Sequence, residues 1–484
     1  MKTCFKCFLS PMIIIALTLS TRVLAEDVTI VYPYTYYEAG NQGGLLLWSN
    51  TIFATSWGSG IGFLGHVGTV FSVNIDGSSA TELHKFDGTP PSSDGYTPDG
   101  GLVLSGDTLY GTTSQGGVFY NGTVFSVNTN GTGYTILRSF ASSDGTGLQA
   151  GLVLSSNTLY GVAGYGGTGA NVGSGTVFKL NTDGSSFQVL HDFSSIFSGT
   201  NDDGAMPIAA LLLSGDTLFG TTSQGGTGGA GTIFSLKTDG SDFTTLHTFS
   251  PTDAITGTNS DGASPASILI LSGNTLYGTA TIGGVSSNGA VFKLNTNGTD
   301  FTVLHNFTAG TGRSQSLQWP TPTNDDGATP KGGLLLWNDT LYGTASQGGP
   351  SGTGTIFALG TDGTGFTVLH AFTDNTTAGW YPLGSLSLSD KTLYGTVQYG
   401  GPNNTAGAII RLPVSAPPKL IIARSASDVI LTWPADVVGY TLYSTTNFDA
   451  PIWTAVSPGP VVVNGLNTVT NPISFAQQFY RLSQ

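Results

Sequence analysis

The stretch GGLVLSGDTLYGT at residues 100–112 decides the fold, because variants of it return along most of the chain. Its aromatic position marks seven copies, 50 to 65 residues apart, at Phe53, Tyr110, Tyr160, Phe219, Tyr277, Tyr342 and Tyr394. Repetition at such a long period indicates that each copy is one supersecondary unit that packs on its neighbours. The sequence therefore predicts an array of seven similar units with loops of varying length.

Each unit contains four short apolar runs, as residues 211–249 illustrate with LLLS, TLFGTT, GTIFSL and FTTLHTF. The last two runs are joined by an Asp-Gly or Asn-Gly pair, which begins at Asp76, Asn130, Asp183, Asp239, Asn297 and Asp362. These pairs accept positive φ, so they are a strong signal for a tight β-hairpin. Four antiparallel strands at this period predict a β-propeller blade.

The seventh unit lacks a fourth run, because prolines at 413, 417 and 418 follow its third run. The N-terminal segment VTIVYPY at 28–34 aligns without gaps on FTVLHNF at 301–307, which is a fourth run. One blade would then be built from both ends of the array, which removes an exposed sheet edge. We therefore predict an all-β fold with a seven-bladed β-propeller over residues 26–414, closed by the N-terminal strand.

The first 25 residues are typical of a secretory signal peptide. Lys2 and Lys6 precede an apolar run over residues 8–19, and small residues lead up to Ala25. We predict cleavage after Ala25 and a secreted, extracellular protein. Beyond this segment no apolar run approaches the roughly 20 residues that cross a bilayer, so we expect no membrane span.

The charge of the chain argues against a nucleic-acid partner. The 484 residues carry 15 Lys and Arg against 29 Asp and Glu, and loss of the three basic residues of the leader changes the net charge from −14 to −17. Binding to nucleic acid requires a basic face that neutralises phosphates. Both cysteines, Cys4 and Cys7, would leave with the leader, so the core alone would stabilise the mature chain.

The repeats resemble a known family, the GloVer-type tandem repeat of secreted bacterial proteins. The resemblance covers about residues 28–414 and rests on Asp-Gly-Ala-x-Pro at 203–207, 261–265 and 326–330, Leu-Tyr-Gly-Thr in the second run and Gly-Thr-Val-Phe or a relative in the third. The first and seventh units depart most, with Ala54 in place of Gly and no Asp-Gly before Gly384. The resemblance implies a bacterial exported protein and a propeller-like array, and it brings no catalytic residue.

Residues 415–419 form a Pro-rich linker, after which the repeat stops. Residues 420–484 alternate as short strands, with Trp433 and Trp453 as expected core aromatics. This pattern predicts a small β-sandwich and is similar to fibronectin-type-III-like modules at the C-termini of bacterial secreted proteins.

Aspartates in the loops that precede the first strand of each unit are candidate metal ligands, because carboxylates and loop carbonyls are what Ca²⁺ selects. They are Asp94, Asp144, Asp202, Asp203, Asp261, Asp325 and Asp326. Alternatively, Asp-Gly makes the turn and the carboxylate caps its own backbone. Five histidines at one position of the fourth strand, His84, His191, His247, His305 and His370, are interpreted as structural, because residues one blade apart cannot share an ion.

Residues that break the repeat are the other candidates for function. On the face of the predicted propeller that carries these loops they are Trp57, Tyr165, Arg313, Trp319, Trp380, Tyr381 and Tyr399. Aromatic rings among Asp, Asn and Gln make a platform for saccharides, although packing of inserted loops explains the same residues.

Nothing in the sequence assigns a catalytic residue, because the motifs of nucleophilic, zinc and phosphate chemistry are all missing from it. The sequence therefore favours a non-enzymatic binding protein whose partner is an extracellular polysaccharide or a surface protein. Two alternatives stay open: a polysaccharide-cleaving enzyme with paired carboxylates at the mouth of the channel, and a structural scaffold. An enzyme should show inward-facing carboxylates with shifted pKa, whereas a binder needs exposed aromatics.

Overall fold

Each repeat consists of a three-residue strand followed by three longer strands. The residue types in the strands and turns explain this arrangement. In the repeat that spans residues 212–248, β-branched and aromatic residues fill the strands, and such residues suit a pleated, half-buried surface. Gly240, in the last turn, has a φ of +95°. Its N–H donates to the carbonyl of Lys237, whose own N–H donates to the carbonyl of Ser241, so the turn is a three-residue loop with glycine at the position of positive φ.

The computed structural model describes residues 27–34, 43–57, 68–87, 94–168, 173–310, 312–313, 322–373, 379–401, 407–414, 420–425, 428–435, 441–446, 453–472 and 478–483. The N-terminal strand and the strands of the first four repeats are β1 Thr29–Pro33; β2 Leu46–Trp48, β3 Thr51–Ser56, β4 Thr69–Asn74, β5 Thr81–Lys85; β6 Val103–Ser105, β7 Thr108–Thr113, β8 Thr123–Asn128, β9 Thr135–Ser139; β10 Val153–Ser155, β11 Thr158–Ala163, β12 Thr176–Asn181, β13 Gln188–Asp192; β14 Leu212–Ser214, β15 Thr217–Thr222, β16 Thr232–Lys237 and β17 Thr244–Thr248. The fifth to seventh repeats and the short hairpin between the fifth and sixth contain β18 Ile270–Ser272, β19 Thr275–Ala280, β20 Ala290–Asn295, β21 Thr302–Asn306; β22 Gly312–Arg313, β23 Pro322–Thr323; β24 Leu335–Trp337, β25 Thr340–Ala345, β26 Thr355–Gly360, β27 Thr367–Ala371; β28 Trp380–Pro382, β29 Ser387–Ser389, β30 Thr392–Tyr399 and β31 Ala408–Pro413. The C-terminal strands are β32 Ile421–Ser425, β33 Asp428–Pro434, β34 Thr441–Thr445, β35 Thr454–Ala455, β36 Val461–Val463, β37 Leu466–Pro472 and β38 Phe479–Ser483.

The prediction of an all-β fold is confirmed: no helix occurs among these described residues. Each of the first six repeats forms a four-stranded antiparallel sheet in which the strands lie in chain order, for example β14-β15-β16-β17. The short first strand therefore ends each sheet on one side and the fourth strand ends it on the other. The signal peptide and the Pro-rich linker of the sequence prediction lie outside the described residues.

In the seventh repeat, the N-terminal strand β1 takes the place of a fourth strand by pairing antiparallel with β31. One residue of β1, Val31, has no partner in this register, which places a bulge between Ile30 and Tyr32. The fourth strand β21 has the same irregularity at Leu304, between Val303 and His305. β1 thus reproduces a fourth strand down to its bulge, as the alignment of residues 28–34 on 301–307 predicts.

The apolar core lies between neighbouring repeats rather than within one. One cluster joins Tyr160 and Phe193 of the third repeat to Leu218 and Phe234 of the fourth. Another joins Tyr394 and Ile409 of the seventh repeat to Ile52 and Phe71 of the first. Full burial of each such side chain contributes about 1.5–3 kcal/mol, so a repeat depends on its neighbours for most of its stability.

The chain divides into two compact units, of which the larger comprises Ala25–Gly363 and Val368–Val414 and the smaller contains Ser415–Gln484. The smaller unit has two antiparallel sheets, with strand orders β32-β33-β37-β36 and β35-β34-β38. Both sheets contribute to one core, which contains Trp433 from the first sheet and Leu442 and Tyr480 from the second. Trp453, the other expected core aromatic, is only half-buried.

A search for membrane-spanning helices, restricted to the described residues, finds none of sufficient length and hydrophobicity.

Candidate functional site

In each repeat from the second to the seventh, antiparallel β-pairing joins the loop before the first strand to the end of the second strand. One partner lies in the loop before the first strand, and the other lies at or just after the end of the second strand. We call these residues the bridge positions; the pairs are Tyr96–Gln115, Thr146–Tyr165, Ala205–Gln224, Ala263–Ile282, Ala328–Gln347 and Trp380–Tyr399. The bridge positions are equivalent in successive repeats. The backbone pairing is therefore the same in each repeat, whereas the residue types differ.

The residue after the first bridge position has positive φ in all six repeats: Thr97, Gly147, Met206, Ser264, Thr329 and Tyr381. In Tyr381 φ is 67° and the backbone N–H donates to the carbonyl of Thr353 in the preceding repeat, at 2.9 Å. Non-glycine residues pay about 1–3 kcal/mol for such a conformation. This hydrogen bond between repeats helps to hold the loop in place, and with it the adjacent bridge residue.

An aromatic cluster occupies the bridge of the seventh repeat. The ring centroids of Trp380 and Tyr399 are 4.6 Å apart at an interplanar angle of 33°, and Tyr381 lies edge-on to Tyr399 at 5.9 Å. The side-chain amide of Gln347, the bridge residue of the sixth repeat, donates to the hydroxyl of Tyr381 at 2.6 Å. Tyr399 is 43% exposed, while Trp380 and Tyr381 are half-buried. Burial raises the pKa of the Tyr399 phenol, so this hydroxyl stays neutral.

Three of the predicted ligand-binding aromatics, Trp380, Tyr381 and Tyr399, therefore form one patch, which we call the aromatic patch. Tyr165 is exposed at the bridge of the third repeat, so it belongs to the same series of positions but to another repeat. Trp57 follows β3 in the first repeat and is half-buried. Arg313 lies in β22, where it pairs with Pro322 of β23. Trp319 lies outside the described residues.

The aspartates that begin the Asp-Gly pairs lie two residues before the first bridge position, and their carboxylates bind residues in or just after the fourth strand of the preceding repeat. Asp261 accepts from His247 at 3.2 Å and from the backbone N–H of Ser250 at 3.0 Å. Equivalent contacts join Asp94 to His84, Asp144 to Arg138, Asp203 to His191 and Asp326 to His305. We call these five pairs the clips.

His84, Arg138, His191 and His247 also each contact an aromatic ring of the next repeat. The imidazole of His247 stacks on Phe301 with centroids 3.7 Å apart, and His84 stacks on Tyr134 in the same way at 3.5 Å. Arg138 replaces histidine in the second repeat and places its guanidinium over Phe187, 4.1 Å from the ring centroid. His84, His191, His247 and His305 thus link a fourth strand to the following loop, and Arg138 does the same while making a cation–π contact with Phe187.

The clips stabilise ionised carboxylates. Burial by itself raises the pKa of Asp203, but hydrogen bonds from His191 and Ser194 outweigh burial and leave the pKa below its ordinary value of 3.8. The pKa of Asp261 is lowered in the same way by His247 and Ser250. Sequence reasoning missed this pairing between the loop aspartates and the fourth strands.

The predicted metal ligands are not brought together. Asp94, Asp144, Asp203, Asp261 and Asp326 lie in successive repeats, and Asp202 and Asp325 are exposed to solvent. Within the described ranges, no group of three or more His, Cys, Asp or Glu side chains is arranged to hold an ion.

The carboxyl group of Asp99 differs from those of the clips. Asp99 lies three residues after Tyr96, and its Oδ2 accepts a hydrogen bond from the hydroxyl of Ser114 at 2.8 Å. Burial raises its pKa from 3.8 to about 6, against the opposing effect of that hydrogen bond.

A cavity of about 270 Å³ is lined by residues from all seven repeats, from Gly43 and Leu45 in the first to Leu383 in the last. Hydrogen bonds between adjacent repeats surround it: Thr112 donates to the carbonyl of Ala150 at 2.9 Å, and Ser387 of the seventh repeat donates to the carbonyl of Leu45 in the first at 2.8 Å. The lining residues lie in the first strand of each repeat or within the four residues before it.

Among solved structures, the chain is similar to an oligogalacturonate lyase in complex with manganese (9% identity over 82% of this chain and 97% of that one, TM-score 0.44). It is also similar to the GH74 enzyme of Niastella koreensis (13% identity, 91% of this chain and 60% of that one, TM-score 0.44). The nidogen/laminin complex gives a TM-score of 0.37 at 12% identity, over 67% of this chain and 97% of that one. Identities this low carry no activity from one protein to another.

No curated protein matches the chain in sequence. The model of the Gloeobacter/Verrucomicrobia repeat matches residues 20–202 and 194–323, which together exceed half of the 484 residues. This match confirms the resemblance that the repeated motifs indicated, and the chain therefore belongs to the Gloeobacter/Verrucomicrobia repeat family.

Proposed function

We propose that this protein is a secreted, non-enzymatic binding module that recognises extracellular polysaccharide through the bridge positions. The observation that carries the proposal is the aromatic patch of Trp380, Tyr381 and Tyr399. It replaces the Asp-Gly-Ala loop of other repeats and exposes Tyr399. Aromatic faces with a neighbouring amide, here Gln347, suit the apolar faces and hydroxyls of sugars.

The architecture that we propose for this function is a seven-bladed β-propeller closed by β1, followed by a fibronectin-type-III-like module in residues 420–484. Three contacts support closure: β1 pairs with β31, Tyr394 shares a core cluster with Ile52, and Ser387 donates to the carbonyl of Leu45. Two sheets on one core that includes Trp433 support a sandwich. The leader that ends at Ala25 belongs to the proposal because it accounts for export.

Calcium is the cofactor that the proposal allows. The clips already use the carboxylates of Asp203, Asp261 and Asp326, so an ion bound in one of these loops would depend on the exposed Asp202 or, in another loop, on the exposed Asp325, together with loop carbonyls.

The test is a glycan array of neutral and acidic polysaccharides, probed with the full chain in the presence of calcium and again with EDTA. Binding that is weakened by Trp380→Ala and by Tyr399→Ala supports the proposal. Binding that is lost in EDTA adds calcium to it, whereas equal signals in both conditions remove calcium from it. An array without any hit would overturn the polysaccharide ligand and favour a scaffold or a surface-protein partner.

A second candidate function, a polysaccharide-cleaving enzyme, is favoured by one observation, the raised pKa of Asp99. A carboxyl group whose pKa is raised to about 6 is protonated in mildly acidic solution, where it can act as a general acid. Glycoside hydrolysis ordinarily requires a second carboxylate. Release of reducing ends from an array-positive polysaccharide, abolished by Asp99→Asn, would establish this function in place of simple binding.

A further inference from the structure

The cavity shared by the seven repeats is lined mostly by backbone and small side chains. Its lining includes Gly44, Gly101, Gly151, Ala209 and Gly333. The first strand of each repeat ends its sheet, so the pairing within the sheet uses only one edge of its backbone. Backbone N–H and C=O groups are strong hydrogen-bonding groups, so this lining suits a polar ligand.

One position varies while the rest of the lining is nearly constant. A buried leucine immediately precedes the first strand of each of these repeats, and the variable position lies three residues before that leucine. In the second to seventh repeats it is occupied by Asp99, Gln149, Ile208, Ala266, Lys331 and Leu383. All of these except Asp99 line the cavity. A position that changes from amide to cation to aliphatic on a repeated backbone is where specificity would reside.

Lys331 is the one ionisable side chain among the residues that line the cavity. It is exposed, and it forms no ion pair with any side chain that the structure describes. The chain as a whole carries 29 acidic against 15 basic residues. A single cation in a cavity otherwise lined by neutral groups, within an acidic protein, is a local site for an anionic group.

Other lining groups can hold the uncharged part of a ligand. The hydroxyl of Ser385 accepts from the backbone N–H of Gly333 at 2.9 Å, so its own proton remains to be donated. Gln149 offers both an amide donor and an acceptor. Ile208 and Leu383 provide apolar surface.

The size of the cavity limits the ligand. Its volume of about 270 Å³ is slightly below the roughly 300–1,000 Å³ that ligand pockets occupy, so it fits one sugar residue rather than a longer oligosaccharide.

We infer that this cavity binds a carboxylate-bearing sugar residue, a uronic acid, whose carboxylate pairs with Lys331 and whose hydroxyls bond with Gln149, Ser385 and the innermost strands. The inference deepens the proposed function, since it names the class of saccharide, but it assigns a site separate from the aromatic patch. A uronic acid unit at the end of a polysaccharide and the free acid present the same chemistry, so the experiment uses both.

The experiment is calorimetric titration of the full chain with glucuronate, glucose, acetate and a glucuronate-terminated disaccharide. Glucuronate should bind more tightly than glucose by roughly 10- to 100-fold, because hydrogen bonds to charged groups contribute about 1.5–3 kcal/mol. Acetate should bind much more weakly than glucuronate. Lys331→Met, which keeps the length of the side chain, should remove the preference for glucuronate, and Lys331→Arg should largely keep it. Lys85→Ala, at an exposed lysine of β5 outside the cavity, is the matched control and should bind as the wild type does.

Three results would overturn the inference: no binding of glucuronate or of the disaccharide, equal affinities for glucuronate and glucose, or equal affinities of Lys331→Met and wild type for glucuronate. Acetate bound as tightly as glucuronate would reduce the site to a general anion site and would equally overturn it. Tighter binding of the disaccharide than of the free acid identifies a polysaccharide end as the source, and the reverse identifies the free acid.

The inference and the proposed function can fail separately. Array binding that requires Trp380 and Tyr399 but is unchanged in Lys331→Met leaves the proposed function intact and removes the cavity site. Glucuronate binding that requires Lys331 but is unchanged in Tyr399→Ala does the reverse.

Discussion

His247 donates to the carboxylate of Asp261 at 3.2 Å while its ring stacks on Phe301 of the next repeat at 3.7 Å. The side chain thereby ties a strand to the following loop and to the neighbouring repeat at once. Because the first bridge residue comes two positions after Asp261, the same clip also sets where that residue lies. The stability of the array and the geometry of its variable surface are therefore coupled.

We expect Asp261→Asn to lower the free energy of unfolding. Asp261 is buried and accepts bonds from His247 and from the N–H and hydroxyl of Ser250. Replacing the charged acceptor should cost about 1–3 kcal/mol, the usual cost of a lost bond to a charged group. Urea unfolding of the purified chain measures the change.

The matched control is Asp202→Asn, at an exposed aspartate of the same kind of loop. Surface changes of this type stay within about 0.5 kcal/mol. Equal destabilisation by the two substitutions would contradict the role that we assign to the clip.

Much of this fold could be predicted from the sequence, because the turns impose it. Asp-Gly pairs such as Asp239-Gly240 fix the hairpin, and the alignment of β1 on β21 correctly predicts that β1 pairs with β31. β37, at Leu466–Pro472, was not predicted, since Asn467, Asn471 and Pro472 interrupt its apolar pattern. It forms because it pairs along its whole length with β33, a contact that a local pattern does not reveal.

The candidate site was predicted only in part. Repeat-breaking aromatics such as Trp380 and Tyr399 could be found by comparing units, and the structure brings them together. The partner of each aspartate could not, because a carboxylate in a loop has the same sequence signature whether it faces solvent, an ion or a histidine. The fold alone shows that Asp261 lies beside His247 whereas Asp202 is exposed to solvent.

We expect stability to fall in acid in two steps. Burial lowers the pKa of His84 below 6.5, despite the nearby Asp94 and Glu82. The unfolded chain therefore takes up a proton first, and stability decreases as the pH falls below about 6.5. The lowered pKa of Asp203 and Asp261 adds stability that is present above pH 3.8, the ordinary value, and is lost as the pH falls through their lower folded values.

Unfolding of wild type and of His84→Gln between pH 7.5 and pH 5 isolates the first step. The variant should show a smaller loss of stability over this range than the wild type. If stability fell equally with pH in the two proteins, His84 would not be the cause of the first step.

We expect Gly101→Ala to be strongly destabilising. A Cβ at Gly101 would lie 2.2 Å from the carbonyl oxygen of Gly43, which is backbone and cannot rotate away. Forcing these two backbone segments apart should lower the free energy of unfolding by about 1–3 kcal/mol or more, as overpacking does. Thermal unfolding measures it, with Gly459→Ala as the control because a Cβ there meets nothing within 4 Å. A melting temperature of Gly101→Ala equal to that of wild type would contradict the close approach of the first two repeats.

The last prediction concerns how the aromatic patch would bind. Tyr399 is the most exposed member of the patch, and its ring lies against Trp380. If the ring stacks on a sugar, Tyr399→Ala should weaken binding of the best array glycan by roughly fivefold, since an aromatic contact contributes about 0.5–1.5 kcal/mol beyond burial. Tyr399→Phe keeps the ring and should retain most of the affinity. Tyr165→Ala, at the bridge of the third repeat, shows whether that position contributes as well. If Tyr399→Phe weakened binding as much as Tyr399→Ala did, the hydroxyl rather than the ring would make the contact, and the stacking platform would have to be abandoned.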